Sequence, residues 1–249
     1  MPPPPVRCCC PRPASPASSP SRSRLRERSA DVVRYQGIVF DLDGTLADTP
    51  GAIVSITVKV LRELGRSVDD AAVRATVGKP LDQNFAGLLE LPVDHPQVAE
   101  AMAAYRAGFG EHLEEQRERM LYPGVAEGLS KLLDLGHTLA IATSKTHEAA
   151  VRTLRATGIL DRFAVVAGHD SVGRGKPAPD MALFVAEKLG LPAERCVVVG
   201  DAVGDIEMAS AAGMASVGVS YGVASADQLL ESGALVIADS FDGVVSAVL

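Results

Sequence analysis

The chain has 249 residues, of which 47% are hydrophobic and 22% charged, enough for one domain with an insertion or for two small domains. The formal net charge is −7, and because residues 1–30 hold six arginines and one glutamate, the rest of the chain carries −12. Such an acidic body argues against nucleic acid as the main partner. No apolar run reaches the roughly 18 residues of a membrane span, so we expect no membrane partner either.

Residues 1–30 are rich in Pro, Ser and Arg and nearly lack aliphatic residues, which predicts a disordered tail. Three adjacent cysteines, Cys8, Cys9 and Cys10, lack the spaced partners of a disulfide framework. The tail has no apolar stretch like that of a secretory signal, and its composition only loosely fits an organelle transit peptide. We favour an extension without function and expect a cytoplasmic protein, with organelle targeting as the alternative.

The first predicted strand is the apolar run GIVFDLD, which ends in a turn at Gly44. Similar runs recur along the chain, separated by segments of about ten residues with apolar residues at helical spacing. This alternation predicts an α/β domain with a Rossmann-like, doubly wound parallel sheet. The predicted strands are 37–43, 137–144, 163–168, 195–202, 214–222 and 234–239, and the predicted helices are 125–135, 146–157, 179–190, 203–213 and 225–232.

Residues 50–119 interrupt the alternation, because they contain no convincing strand pattern. Four segments read instead as helices, and Pro123 and Gly124 mark the return to the main domain. We therefore predict a helical block inserted directly after the first strand. Its helical segments are 51–65, 69–78, 80–90 and 96–120.

The first strand ends in two aspartates one residue apart, Asp41 and Asp43, although packing alone does not place like charges together. In open α/β sheets, ligands bind at the carboxyl ends of the strands, so the side chains that follow other strands matter too. Those candidates are Thr143, Ser144, Lys145, Asp201 and Asp205, with Lys176 in a loop framed by Gly and Pro.

Carboxylates do not gather without a compensating charge, because each raises the pKa of its neighbours. A bound Mg²⁺ supplies that charge and prefers hard oxygen ligands. Asp41, Asp201 and a main-chain carbonyl near Asp43 would suffice as ligands, which leaves Lys176 for a substrate anion. Metal, lysine, hydroxyl and free amides together describe a phosphate site.

Four motifs in this order resemble those of the haloacid dehalogenase superfamily, whose members are mostly phosphatases and phosphomutases. They are DLDGT at 41–45, IATS at 141–144, the lysine of GKPAPD, and GDAVGD at 200–205. The resemblance covers residues 36–249, and the helical block resembles the family's helical cap of the first type. It implies a cap domain at 50–119 inserted into a core domain made of 31–49 and 120–249.

The resemblance also implies roles for these residues. Asp41 would be the nucleophile that forms an aspartyl-phosphate, and Asp43 would protonate the leaving alcohol and then activate water. Thr143, Ser144, Gly44 and Lys176 would bind the phosphoryl group, with Lys79 as a further candidate for substrate contact from the cap. The implied metal-binding residues are Asp41, Asp43, Asp201 and Asp205, the last of which would support either the metal or Lys176.

Some residues differ from those typical of particular branches of the family, and these differences narrow the range of expected activities. Asp43 argues against dehalogenases and phosphonatases, and Ile53 stands where the β-phosphoglucomutase branch usually has histidine. The segments DTPGAI, IATSK and GDAVGDIEMASAAG look most like the phosphoglycolate phosphatase branch. We predict a Mg²⁺-dependent phosphatase, monomeric or homodimeric, acting on a small phosphorylated metabolite such as phosphoglycolate or a sugar phosphate. The alternatives are a β-phosphoglucomutase-like phosphomutase and a catalytically idle binding subunit.

Other residues carry weaker predictions. Asp48 supports the turn or the hinge of the cap, Asp170 is a candidate to orient Lys176, and Cys196 is a buried core residue. The histidines show no metal-ligand spacing and are expected to be structural or exposed; they are His95, His112, His137, His147 and His169.

Overall fold

The computed structural model describes Met1 and residues 34–249. The predicted disordered tail at 1–30 lies, except for Met1, outside the described residues. In the described part of the chain, no helix combines the length and the apolar character needed to cross a membrane.

The described residues form one parallel sheet of six strands in the order β3–β2–β1–β4–β5–β6. The strands β1 and β4, at the centre of this order, are fully buried apolar runs, GIVF and CVVVG. Each predicted strand is confirmed, with bounds one to three residues shorter at most ends. The bounds are Gly37–Phe40 for β1, Thr138–Ala142 for β2, Val165–Ala167 for β3, Cys196–Gly200 for β4, Ala215–Val219 for β5 and Val236–Ala238 for β6.

Residues 50–119, all of them described in their backbone, contain helices and no strand, as predicted. The helices are α1 at Pro50–Glu63, α2 at Asp70–Arg74, α3 at Leu81–Leu89 and α4 at Pro96–Gln116. Proline begins α1 and α4, where its missing N–H costs nothing. The ring of His95 caps α4 by accepting a hydrogen bond from the main-chain N–H of Gln97 at 3.2 Å, which is a structural role.

The inserted helices have a hydrophobic cluster of their own, in which Val54, Leu61, Phe85 and Tyr105 are buried. The two segments that join the insert to the sheet lie side by side, because Asp48 N donates to Met120 O at 2.7 Å. The described residues from Arg34 onward nevertheless belong to one compact unit, so the domain boundaries at 50 and 119 remain a prediction.

Six further helices follow, and they cover both faces of the sheet. Alternation along β1 explains the two layers, because Ile38 and Phe40 join the cluster on one face and Val39 joins the cluster on the other. Cys196, in the second cluster, is buried as predicted. The helices are α5 at Val125–Asp134, α6 at His147–Ala156, α7 at Asp180–Leu189, α8 at Val203–Ala211, α9 at Ala226–Glu231 and α10 at Phe241–Val248.

The sheet order places the predicted motifs together. Phe40 at the end of β1 pairs with Ile141 of β2 on one side and with Val199 of β4 on the other. The segments that follow these three strands therefore emerge at the same edge of the sheet, where the chain order reverses and α/β proteins bind their ligands.

Candidate active site

Asp41 continues directly from β1, because its N–H still donates to Val199 O of β4 at 2.9 Å. The chain then turns at Gly44, whose φ of 85° disfavours any residue with a side chain. A Cβ at this position would also lie 2.1 Å from Asp201 Oδ2, closer than any real contact. Glycine is therefore required here, because it lets the turn approach the second strand end.

Three buried carboxylates lie together at the ends of β1 and β4. Each of Asp41, Asp201 and Asp205 offers one oxygen, and these oxygens all lie within 4.8 Å of one another; among the described residues they form a group that could hold a metal ion. Their residues are 7%, 1% and 1% exposed, so water screens their charges poorly.

Lys176 enters this group from the loop before α7. Its Nζ lies 2.6 Å from Asp41 Oδ1 and 2.5 Å from Asp205 Oδ1, and its side chain is 6% exposed. One ammonium among three carboxylates leaves an excess of negative charge. The Lys176–Pro177 peptide bond is cis.

The pKa values of the site residues are shifted by burial and by this excess of negative charge. Burial raises the pKa of Asp41 to about 7, Lys176 opposes the rise, and the charges of Asp205 and Asp43 add to it. Burial, with the charges of Asp41 and Asp205, also raises the pKa of Asp201 well above its ordinary value. Burial by itself lowers the pKa of Lys176, but the two carboxylates beside it raise that pKa above its ordinary value.

A divalent cation fits this group of carboxylates. The donors are all carboxylate oxygens, which suits a hard cation such as Mg²⁺, and their charge is incompletely balanced. Asp201 is held firmly for this role: its Oδ1 accepts from Thr45 Oγ1 at 2.9 Å and its Oδ2 from Val223 N at 2.9 Å. Gly222 packs so closely that an added Cβ would lie 2.3 Å from Asp201 Cβ.

Two further contacts hold the segments around these carboxylates in place. Asp205 Oδ2 accepts from Ala202 N at 3.1 Å, so this residue both closes the first turn of α8 and pairs with Lys176. Tyr221 OH donates to Thr45 O at 3.0 Å, and its ring lies 4.6 Å from that of Tyr122, centroid to centroid. The loop after β5 is thereby fastened to the turn after β1.

Asp43 lies apart from the three carboxylates. Its Oδ1 accepts a hydrogen bond of 2.5 Å from Thr49 Oγ1, and its Oδ2 pairs with Lys145 Nζ at 3.1 Å. Lys145 Nζ also lies 4.2 Å from the centre of the Phe109 ring, on α4 of the insert. The prediction that the main chain near Asp43 takes part in metal binding stays a prediction.

A cavity of about 430 Å³ opens over these residues and extends between the sheet edge and the inserted helices. The predicted Lys79 lies in its lining, together with Thr143 and Ser144. Lys176, Asp201 and Asp205, all described residues, lie next to Asp41 rather than in this lining.

Asp170 also lines the cavity, and its Oδ1 accepts from His147 N at 2.7 Å, so it stabilises the start of α6. The described contacts of Lys176, which Asp170 was a candidate to orient, are with Asp41 and Asp205. Asp48, at the junction with the insert, is exposed.

Sequence reasoning assigned no role to several residues of this lining. Lys145 was a candidate because it follows the end of the second strand, but no motif assigned it a role. The insert contributes residues that no motif singles out, among them Asn84, Met102, Tyr105, Arg106 and Phe109. Burial, together with the charge of Asp43, raises the pKa of Tyr105 well above its ordinary value.

Two residues of the cavity lining, Asn84 and His169, each have a buried polar atom without a hydrogen-bond partner among the described residues. Asn84 is 8% exposed, and its unpaired atom is Oδ1. A buried amide oxygen left without a partner costs about 1–3 kcal/mol.

Comparison with known proteins supports the assignment of the motifs. A model of the family described as haloacid dehalogenase-like hydrolase matches residues 38–219. The chain is 43% identical over 211 residues to a Dickeya dadantii protein named "Probable phosphatase IndB", with 84% of this chain and 92% of that protein covered. It is 32% identical over 240 residues to the phosphoglycolate phosphatase of Salmonella typhimurium, with 85% of this chain and 92% of that protein covered.

Solved structures agree with the sequence comparisons. The structure of a predicted phosphoglycolate phosphatase from Haemophilus somnus superimposes with a TM-score of 0.77 at 26% identity. The match covers 88% of this chain and 100% of that chain, so it includes both the sheet and the inserted helices.

Proposed function

The chain belongs to the haloacid dehalogenase-like hydrolases, and we propose that it is a Mg²⁺-dependent phosphatase that hydrolyses a small phosphorylated metabolite through an aspartyl-phosphate. The observation that carries this proposal is the division of labour between two aspartates. Asp41 shares a buried site with Lys176 and two further carboxylates, whereas Asp43 faces Thr49 and Lys145.

Asp41 is the nucleophile in this proposal. Lys176 occupies Oδ1, which leaves Oδ2 to attack the phosphorus of the substrate. As the new oxygen–phosphorus bond forms, the bond to the leaving alcohol breaks, and the negative charge of that alcohol must be neutralised. This splits one difficult hydrolysis into two easier steps.

Asp43 is the general acid and general base in this proposal. In the first step its carboxyl group donates a proton to the leaving oxygen, and in the second its carboxylate takes a proton from the water that attacks the aspartyl-phosphate. The products are the free alcohol and inorganic phosphate, and both aspartates return to their starting states. Such general acid–base assistance is typically worth about 10²–10⁴-fold in rate.

The metal and the lysine balance charge. Asp41 and Asp201 would hold Mg²⁺, with Asp205 beside them, and the bound metal would polarise a phosphoryl oxygen. Lys176 lowers the repulsion between Asp41 and an approaching phosphate. The buried Thr143 hydroxyl, Ser144 and the turn at Gly44 would hold phosphoryl oxygens, and Lys79 would contact the substrate from the cap.

The geometry favours hydrolysis over phosphomutase chemistry. Ile53 lines the cavity at the position where the mutase branch usually has histidine, and an apolar side chain cannot exchange a proton with a sugar intermediate. The curated relatives named above support a phosphatase, and several bear the name phosphoglycolate phosphatase. Phosphoglycolate and sugar phosphates are therefore the candidate substrates in this proposal.

The test is phosphate release by the full chain from a panel of phosphorylated metabolites, with and without Mg²⁺. We expect metal-dependent turnover that falls by at least about 10³-fold in Asp41→Asn, because the nucleophile is lost. Asp94→Asn makes the same change of charge at an exposed position and should match the wild type. Turnover that is the same in Asp41→Asn and in the wild type would refute the proposal.

A further inference from the structure

Two separate segments of the chain hold the carboxylate of Asp201. Its Oδ1 accepts a hydrogen bond from Thr45 Oγ1, in the turn after β1, and its Oδ2 accepts one from Val223 N, in the loop after β5. Asp201 is 1% exposed and Thr45 is fully buried, so water is poorly placed to replace the bond between them. The direction of this carboxylate therefore depends on how the two segments lie relative to each other.

Tyr221 joins these two segments. It belongs to the loop after β5, two residues before Val223, and its hydroxyl donates to the main-chain carbonyl of Thr45 at 3.0 Å. The same loop is closed on the end of β4 by Ala224 N, which donates to Asp201 O at 3.0 Å. Because Thr45 carries both the hydroxyl that orients the carboxylate and the carbonyl that the phenol binds, Tyr221 fixes the residue on which that orientation depends.

Tyr122 holds Tyr221 from the junction with the insert. The centres of the two rings lie 4.6 Å apart, and Tyr122 OH donates to Tyr221 O at 3.4 Å. The main chain of Tyr122 is bonded in turn to the residue after Thr45, because Tyr122 N donates to Leu46 O at 3.0 Å. The turn after β1, the segment that returns from the insert and the loop after β5 therefore contact one another pairwise beside Asp201.

We infer that Tyr221 is a positioning residue for the metal site, because through Thr45 it sets the carboxylate of Asp201. Through Tyr122 it also ties that carboxylate to the junction with the insert. The inference rests on the Mg²⁺ site of the proposed function and names the residue that sets the geometry of that site. Loss of a group that orients a metal ligand typically lowers metal affinity about 10–100-fold.

The choice between two cations separates positioning from a general role in stability. Mg²⁺ requires a nearly ideal octahedral arrangement of its ligands, whereas Ca²⁺ accepts a flexible arrangement. A carboxylate of Asp201 that has become free to turn should therefore weaken Mg²⁺ binding more than Ca²⁺ binding. A change that only destabilises the fold should not alter the ratio of the two affinities.

The experiment is calorimetric titration of the full chain with Mg²⁺ and, separately, with Ca²⁺, which gives both affinities without relying on turnover. Tyr221→Phe keeps the ring that contacts Tyr122 and removes only the hydroxyl. Tyr35→Phe is the matched control, because it removes the same group just before β1, at the opposite end of that strand from Asp41. The thermal unfolding midpoint of each variant without metal is measured in parallel.

We expect Tyr221→Phe to bind Mg²⁺ about tenfold more weakly, as for the loss of one hydrogen bond, and Ca²⁺ less than about threefold more weakly. Tyr35→Phe should keep both affinities. Tyr122→Leu, which removes the ring beside Tyr221, should weaken Mg²⁺ binding about threefold, because the hydroxyl of Tyr221 then loses support but keeps its acceptor.

A double variant tests the path through Thr45. Thr45→Val removes the hydroxyl that bonds Asp201 at nearly constant size. If Tyr221 acts through that hydroxyl, adding Tyr221→Phe to Thr45→Val should change Mg²⁺ affinity by less than about twofold, because the two changes then remove the same support. If Thr45→Val does not fold, the ratio of Mg²⁺ to Ca²⁺ affinity in Tyr221→Phe decides the inference by itself.

Three results would overturn the inference and leave the phosphatase proposal intact. One is a Tyr221→Phe variant in which the ratio of the two affinities is unchanged, which would make Tyr221 a structural residue. Another is an additive loss of Mg²⁺ affinity in the double variant, since Tyr221 would then act independently of Thr45. The third is an unchanged Mg²⁺ affinity in Tyr122→Leu, which would remove the link to the insert. A wild type that binds no Mg²⁺ would refute the metal site of the proposed function, and the inference with it.

Discussion

The two sides of the cavity satisfy their polar groups in different ways. On the side of the sheet, Asp41 and Asp205 pair with Lys176, and Asp201 accepts bonds from Thr45 and Val223. On the side of the insert, the amide oxygen of Asn84 has no partner among the described residues. The carboxylates at the sheet edge are thus held in place before any ligand arrives, as expected of a site that stabilises one kind of transition state. The insert side thus leaves a buried polar atom unpaired in the described part of the chain.

Removing the ammonium group of Lys176 from the sheet side should have the largest effect. Lys176→Met would leave two buried carboxylates without their ammonium, which typically costs about 3–5 kcal/mol in the free energy of unfolding. Turnover should fall by about 10²-fold or more, because the attacking carboxylate would then repel the phosphate. Mg²⁺ should stabilise this variant more than it stabilises the wild type, because the excess of negative charge is larger.

Urea unfolding with and without Mg²⁺, together with phosphate release, measures these quantities. Lys131→Met removes a lysine from an exposed position of α5 and should leave all of them unchanged. A free energy of unfolding in Lys176→Met within about 1 kcal/mol of the wild type would mean that the lysine does not offset the carboxylates.

A second change tests whether the close approach at Gly44 holds Asp201 in place. Gly44→Ala forces a side chain into a left-handed backbone and sets its Cβ 2.1 Å from Asp201 Oδ2. We expect the carboxylate to move, Mg²⁺ affinity to fall about tenfold or more, and turnover to fall with it. Calorimetric titration of Mg²⁺ checks the affinity without relying on activity.

Gly65→Ala is the matched control for that experiment. Its φ of 75° imposes a similar backbone cost, about 1–2 kcal/mol, but an added Cβ meets nothing within 4 Å. It should lose stability and keep its affinity for Mg²⁺. Equal Mg²⁺ affinities in the two variants would show that the crowding at Asp201 is without consequence.

The contrast between the two sides also explains which parts of the fold and of the site could be predicted from the sequence. The site residues on the sheet side, such as Asp41 and Asp201, directly follow the ends of strands. Because the carboxyl ends of parallel strands lie at one edge of the sheet, their positions in the sequence predict that they lie close together in the fold. The strands and helices of the core could be predicted for the same reason, since buried strands and amphipathic helices differ in period. Their ends were less certain, because pairing does not stop sharply at the last strand residue: Asp41 N still donates to Val199 O although β1 ends at Phe40.

The cavity residues of the insert could not be predicted in this way. Asn84 and Tyr105 reach the cavity only through the packing of α3 against α4, which depends on side-chain shapes across distant turns. Nothing in the local sequence marks a buried amide as unpaired, because pairing is a property of three-dimensional neighbours. The role of Lys145 is an intermediate case: its position after β2 could be predicted, but its contacts with Asp43 and with Phe109 of the insert could not.

Lys145 is the one lysine in the described chain that joins the two sides through both an ion pair and a ring contact, and its removal should have the smallest of these effects. Lys145→Met keeps an apolar stem against Phe109 and removes only the charge 3.1 Å from Asp43. Asp43 keeps its hydrogen bond from Thr49, so kcat should fall only about tenfold. The ion pair is mostly buried, so the free energy of unfolding should fall by about 1–2 kcal/mol, less than the loss expected in Lys176→Met. Steady-state kinetics measures the first quantity and urea unfolding the second, with Lys59→Met at an exposed position of α1 as control. A loss in kcat as large as that of Asp41→Asn would instead place Lys145 within the chemistry, and an unchanged kcat would mean that Thr49 alone positions the proton-transferring carboxylate.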